Sequence, residues 1–193
     1  MTGVQTCALP ISAAASWQAL EQGDKIGGVI LVGEEPLRHA PAGRRRDLLL
    51  WLHQLHQAYQ QGLARTPTQT GLLAGLKLLS QTVRPGSLIH VISDFYRTQD
   101  ECWLWLRRLH KSHQVRCYQV LDQLELALQG KGTLAVDNGR EQGFLTSFDS
   151  KFAQHYRQVA MHRQHHIQRQ LRECCQRAFQ LDAARSLRKG RTP

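Results

Sequence analysis

The 193-residue sequence has no run of about 18 consecutive apolar residues, so it offers no helix long enough to cross a bilayer. It also has no C-x-x-C pair. Its five cysteines, Cys7, Cys102, Cys117, Cys174 and Cys175, follow neither a zinc spacing nor a disulfide framework, which suits a reducing, cytoplasmic setting. Walker A, G-x-S-x-G and G-x-G-x-x-G patterns are absent. With them go the sequence signatures of P-loop nucleotide binding, the α/β-hydrolase elbow and dinucleotide binding. His162 and His166 have the i,i+4 spacing of a helical zinc site, but the glutamate of H-E-x-x-H is missing. Arg163 stands in its place and would oppose a cation. His155, His165 and the pair His53 and His56 read as solvated or interface histidines. Neither Cys102, beside Trp103, nor Cys117, in an apolar run, has a base at hand to make it a nucleophile. The expectation is a protein without catalytic residues, not an enzyme.

What the sequence does have is positive charge, +10 overall. It is concentrated at the end: eight Arg or Lys residues lie between His162 and Arg191, against Glu173 and Asp182. Such a segment attracts acidic protein, anionic lipid or nucleic acid alike. The other end is unusual in another way. Residues 1–11, MTGVQTCALPI, lack the regions of a secretory signal and resemble the conceptual translation of a short-read sequencing adapter. They are expected to be an artefact, with native sequence entering near Ser12. The partial domain then spans 12–189, with 190–193 a tail.

From Ser12 the pattern alternates. Ser12 to Gln22 predicts a helix stopped by Gly23, and Ile26 to Val32 (IGGVILV) a strand buried on both faces. Pro36 to Ala40 reads as a turn and short extended piece, and Arg44 to Tyr59 as a helix with Leu48, Leu52, Leu55 and Tyr59 on one side, closed by Gly62. Arg65 to Gly71 (RTPTQTG) is a polar loop leading to a helix over Leu72 to Val83, and Pro85-Gly86 turns the chain. A second buried strand, Ser87 to Ser93, ends at Asp94. A helix over Gln99 to Lys111 and a third strand over Val115 to Leu121 follow. Strands alternating with helices argue for a parallel sheet. Beyond Asp122, Thr133 to Val136 and Gln142 to Leu145 flank Asp137-Asn138-Gly139, a hairpin signal. A long helix is expected from a Ser147 cap onward, then a last short strand at Phe179 to Leu181.

In open α/β sheets ligands sit beyond the carboxyl ends of the strands, which is where Asp94 falls. Thr66, Thr68 and Thr70 lie in the loop before the preceding helix. A carboxylate with a hydroxyl oxygen is part of what Mg²⁺ requires.

RTPTQTG, a helix, a PGS turn, an apolar strand and SDF together resemble the second and third segments of the metal-ion-dependent adhesion site of von Willebrand factor A domains. That resemblance makes Asp94 and Thr66, or alternatively Thr68, metal ligands. The family's first segment, DxSxS, is absent from this chain. Adding GDKIGGVIL, RPGSLIHVISDF and VLDQLE followed by a hairpin and a long basic helix, residues from about Ser16 to Leu187 resemble the bacterial domain-of-unknown-function family 58 (DUF58). The resemblance implies a Rossmann-like, von Willebrand A-like three-layer α/β sandwich with a mostly parallel sheet. A hairpin appendage, a long carboxy-terminal helix and a missing first central strand complete the expected picture. It also implies a non-enzymatic protein-binding module working with a MoxR-type AAA+ ATPase in protein assembly or maturation. Mg²⁺ is expected in the full-length protein and none in this fragment. Exposed apolar strand edges beside the missing strand would make the fragment self-associate. The alternative is a nucleic-acid-binding protein that uses Arg163, Arg169, Arg172 and Arg177 of the basic helix.

Overall fold

A computed structural model describes residues 2–31, 36–63, 71–96, 98–121, 126, 133–137, 142–146 and 150–182. The elements are α1 (Thr2–Glu21), β1 (Ile26–Leu31), β2 (Pro36–Ala42), α2 (Arg45–Leu63), α3 (Gly71–Thr82), β3 (Leu88–Ser93), α4 (Asp100–Ser112), β4 (Gln114–Leu121), β5 (Thr133–Asp137), β6 (Gln142–Thr146), α5 (Ser150–Cys174) and β7 (Arg177–Asp182). Mixed α/β architecture and the expected elements are therefore present. Helix α1 extends upstream of Ser12 with Pro10 inside it. It closes as the sequence predicts, with Gly23 at φ +79°. The Ser147 cap and the Asn138-Gly139 turn lie outside the described residues.

The strands form three groups. β3, β4 and β7 make a parallel sheet in that order, with Leu88 opposite Gln114 and Arg116 opposite Arg177. β5 and β6 form the expected antiparallel hairpin. The third group differs from expectation, because Pro36–Ala42 is a full strand, paired antiparallel with β1. The pairing is irregular between Ile26 and Gly28, and the two prolines of β2 explain its weak strand signature: Pro has no N–H to give a ladder. Thus, among the described residues, Ile26–Leu31 is paired antiparallel with β2 and not within the parallel sheet.

Helices pack against β1 and β2 and against the parallel sheet. Ile26 and Ile30 of β1 are buried with Leu48, Trp51 and Ala58 of α2, and Leu31, pointing the other way, meets Gly75 of α3. Trp51 donates its indole N–H to Ser16 of α1 at 3.1 Å, so a buried polar pair ties these two helices together. The larger core lies on one face of the parallel sheet. There Ile89, Val91, Val115 and Cys117 pack with Leu76 of α3, Trp103, Leu106 and Leu109 of α4, and Ile167 and Leu171 of α5. On the opposite face His90, Tyr118 and Phe179 stack in a row across the three strands, with ring centroids 5.5 and 5.0 Å apart. Helix α1 packs against β1, β3 and β4.

Candidate functional site

Asp94 directly follows β3, at the carboxyl end of the parallel sheet. It does not cap the next helix, which starts at Asp100 with Gln99 at its N-cap. Instead its Oδ1 accepts the backbone N–H of Tyr96 at 3.1 Å, while the Ser93 hydroxyl accepts the N–H of Phe95 at 3.1 Å. These two short-range hydrogen bonds fold SDFY into a tight loop. Phe95 adopts φ +55°, a backbone region unfavourable for an aromatic residue, and its ring compensates by being fully buried on Trp103 at 5.8 Å. The loop therefore holds Asp94 in place from below.

A small cavity opens above it, lined by Asp94, Tyr96, Gln119, Arg163, Gln164 and Ile167 among others. Gln119 of β4 has no exposed surface, so its amide must be satisfied internally. Gln164 of α5 does this reciprocally: each amide donates to the other's carbonyl oxygen, at 3.0 and 2.8 Å. Gln180 of β7 donates to the same Gln119 oxygen at 3.3 Å, and Gln119 reaches the Asp94 carbonyl at 3.5 Å. One side chain thus links β4, β7, α5 and the Asp94 loop. Arg163 lays its guanidinium over the Tyr96 ring, 4.2 Å from the centroid.

Of the residues expected to hold a metal, only Asp94 is described; Thr66 and Thr68 lie outside the described residues. Asp94 and the Ser93 hydroxyl offer fewer oxygens than the octahedral shell Mg²⁺ demands, and Arg163 in the same cavity works against a cation. Among the described residues no group of three or more His, Cys, Asp or Glu could hold a metal ion. His53, His56, His155, His162, His165 and His166 are exposed.

The described cysteines other than Cys7 lie in the interior. Cys102, Cys117, Cys174 and Cys175 are all buried and free. Burial raises the pKa of Cys102 and Cys174. Cys117 and Cys175 share a thiol hydrogen bond that raises Cys117 far above the usual thiol range and lowers Cys175. That pairing across β4 and the end of α5 was not legible in the sequence.

The sequence reading also passed over Gln119, Gln164, Gln180 and Tyr96. One signal was available: Gln119 interrupts the apolar run of VRCYQVL at a position whose neighbours in the strand alternation, Val115 and Cys117, face the core.

Residues 4–170 match the family described as "Protein of unknown function DUF58". No curated protein matches. Among solved structures, the chain is similar to the conserved hypothetical protein BatB from Bacteroides thetaiotaomicron, at 12% identity and a TM-score of 0.49, over 90% of this chain and 80% of that one. No helix among the described residues is long and apolar enough to cross a membrane.

Proposed function

We propose that this chain, which belongs to the DUF58 family, is a protein-binding module and not an enzyme, and that it binds through the Asp94 end of its parallel sheet. The observation that carries this reading is the way Asp94 is held. A carboxylate sits at the carboxyl end of a parallel strand, braced by its own loop and by a buried amide network, beside an arginine and an exposed tyrosine. Among the described residues that cavity is lined by the Asp94 carboxylate, the Tyr96 phenol, the Arg163 guanidinium, two glutamine amides and apolar side chains, a set suited to recognition. A von Willebrand A-like arrangement is the finer reading of the fold. It is supported by α2 and α3 on opposite faces of β1 and by β1 and β3, which among the described residues are not paired with each other and between which such a domain carries a further strand. As the von Willebrand A resemblance implies, Asp94 with Thr66 or Thr68 would contribute ligands to Mg²⁺, with a partner carboxylate completing its shell. A MoxR-type AAA+ ATPase is the partner we favour.

Capture of such an ATPase by the full-length protein tests this. Asp94→Ala is expected to abolish capture, and chelation of Mg²⁺ to weaken it. Capture unchanged by Asp94→Ala, or steeply salt-dependent DNA binding in its place, would refute the reading.

A further inference from the structure

A second and larger recess continues from the Asp94 cavity along α5, sharing Gln164 with it. Its volume is about 800 Å³, towards the upper end for ligand sites. Ala153, Arg157, Met161, Gln164 and Gln168 of α5 line it with Gln180 of β7, and among the described residues no Asp or Glu does. Among the described residues neither Arg157 nor Arg163 has a carboxylate within ion-pair distance, although Lys77 and Arg107 each have one. Arg163 rests on the Tyr96 ring, a contact that orients the guanidinium without using its N–H donors.

We infer that this groove is the seat of an acidic peptide segment of the partner, laid along α5 with its carboxylates on Arg157 and Arg163. The inference rests on the protein-binding reading above and names the chemistry of the partner. Three features select this occupant. The charge is complementary, since Arg157 lies in the groove without a described Asp or Glu and Arg163 stands at its end, in the Asp94 cavity, in a chain of net charge +10. Glutamine amides, each both donor and acceptor, match the alternating N–H and C=O groups of an extended backbone. Ala153 and Met161 give apolar contact between them, methionine adapting to irregular side chains. From Ala153 to Gln168 the helix rises about 22 Å, which accommodates about seven extended residues. A nucleic acid strand asks instead for a row of cations and free aromatic faces, and the face of Tyr96 is already occupied by Arg163.

The test uses a fluorescein-labelled decapeptide with Glu at every second position and Ala, Leu and Ser between, titrated with this chain and followed by anisotropy. Arg157→Glu/Arg163→Glu is expected to weaken binding at least about tenfold. A remote change of the same charge, Arg44→Glu/Arg46→Glu at the start of α2, is expected to weaken it less than about threefold. Thermal melts check that both variants fold, and Arg157→Gln/Arg163→Gln serves where the charge reversal does not. Equal weakening by both pairs, or binding indifferent to Arg157 and Arg163, overturns the proposal. So does displacement of the peptide by an equal concentration of oligothymidine. The two readings fail separately. Partner capture lost with Asp94→Ala but peptide binding indifferent to the arginines refutes only the groove. The reverse pattern refutes only the Asp94 surface.

Discussion

The reciprocal amide pair Gln119–Gln164 makes a quantitative claim about how α5 is fastened to the sheet. Replacing Gln119 by Leu keeps the volume but removes both hydrogen bonds of the pair and strands the Gln164 amide against an apolar side chain. Each bond contributes about 1 kcal/mol net, and leaving a buried partner unpaired adds a further penalty. Gln164 is half-buried and can recover some water, so the expected loss for Gln119→Leu is about 2 kcal/mol. Gln164→Leu leaves the fully buried Gln119 with only Gln180 and the Asp94 carbonyl, and about 2–3 kcal/mol is expected. The double variant has no orphaned partner in the pair, so its loss should be about 2–3 kcal/mol, well below the sum. Urea unfolding followed by far-UV circular dichroism on the four proteins of the cycle measures the coupling. Losses that add to within about 0.5 kcal/mol would show that the two amides do not depend on each other, and the bracing of the Asp94 loop would lose its basis.

Two other perturbations follow from the same packing. Gly28→Ala would put its Cβ 2.4 Å from the Trp51 ring, while in Gly75→Ala the Cβ meets Leu31 Cδ2 at 2.6 Å. The Trp51 indole is buried and tied to Ser16, so Gly28→Ala should cost about 1–3 kcal/mol, whereas Leu31 is 40% exposed and can turn aside. Gly75→Ala should then be near neutral, because Ala gains about 0.5–1 kcal/mol over Gly inside a helix; melting temperatures that fall equally for both would contradict this. His90 is neutral by preference, since burial and then the Arg116 charge lower its pKa below 6.5. The unfolded chain therefore takes up the proton first, so this contribution is complete above about pH 6.5 and is lost as pH falls from the unfolded value through the lower folded one. Urea midpoints at pH 7.5 and 5.5 should fall less for His90→Gln than for the parent, and an unchanged difference would count against a buried neutral His90.

How much of this was readable in the sequence depends on the range of the interaction. Alternation of apolar strands with amphipathic helices located β1, β3, β4, the helices and the last strand, because period and punctuation are local properties. Pairing is not local. β2 looked like a turn because its prolines and polar residues carry no alternation, yet β1 recruits it as an antiparallel partner. Asp94 was found by its position after a strand, a rule of topology. Its neighbours were not, because Gln119, Gln164 and Gln180 come from three elements up to 61 residues apart and meet only when α5 folds back over the sheet. Amides carry no periodic signal, so only the break in an apolar run pointed at Gln119.

The position of Arg163 bears most directly on how the Asp94 end works. In the sequence it reads as an obstacle to zinc at His162 and His166; in the fold those histidines are exposed and Arg163 sits in the Asp94 cavity instead. A dication on Asp94 would then share a small, partly dehydrated space with a fixed guanidinium, and their repulsion is strong where water is scarce. An anion placed between them is attracted by both. A partner carboxylate on Arg163 would thus offset that repulsion and favour Mg²⁺ at Asp94, and Mg²⁺ would favour the carboxylate in return. This is the behaviour required of a site that should engage its cation firmly only when a partner is present.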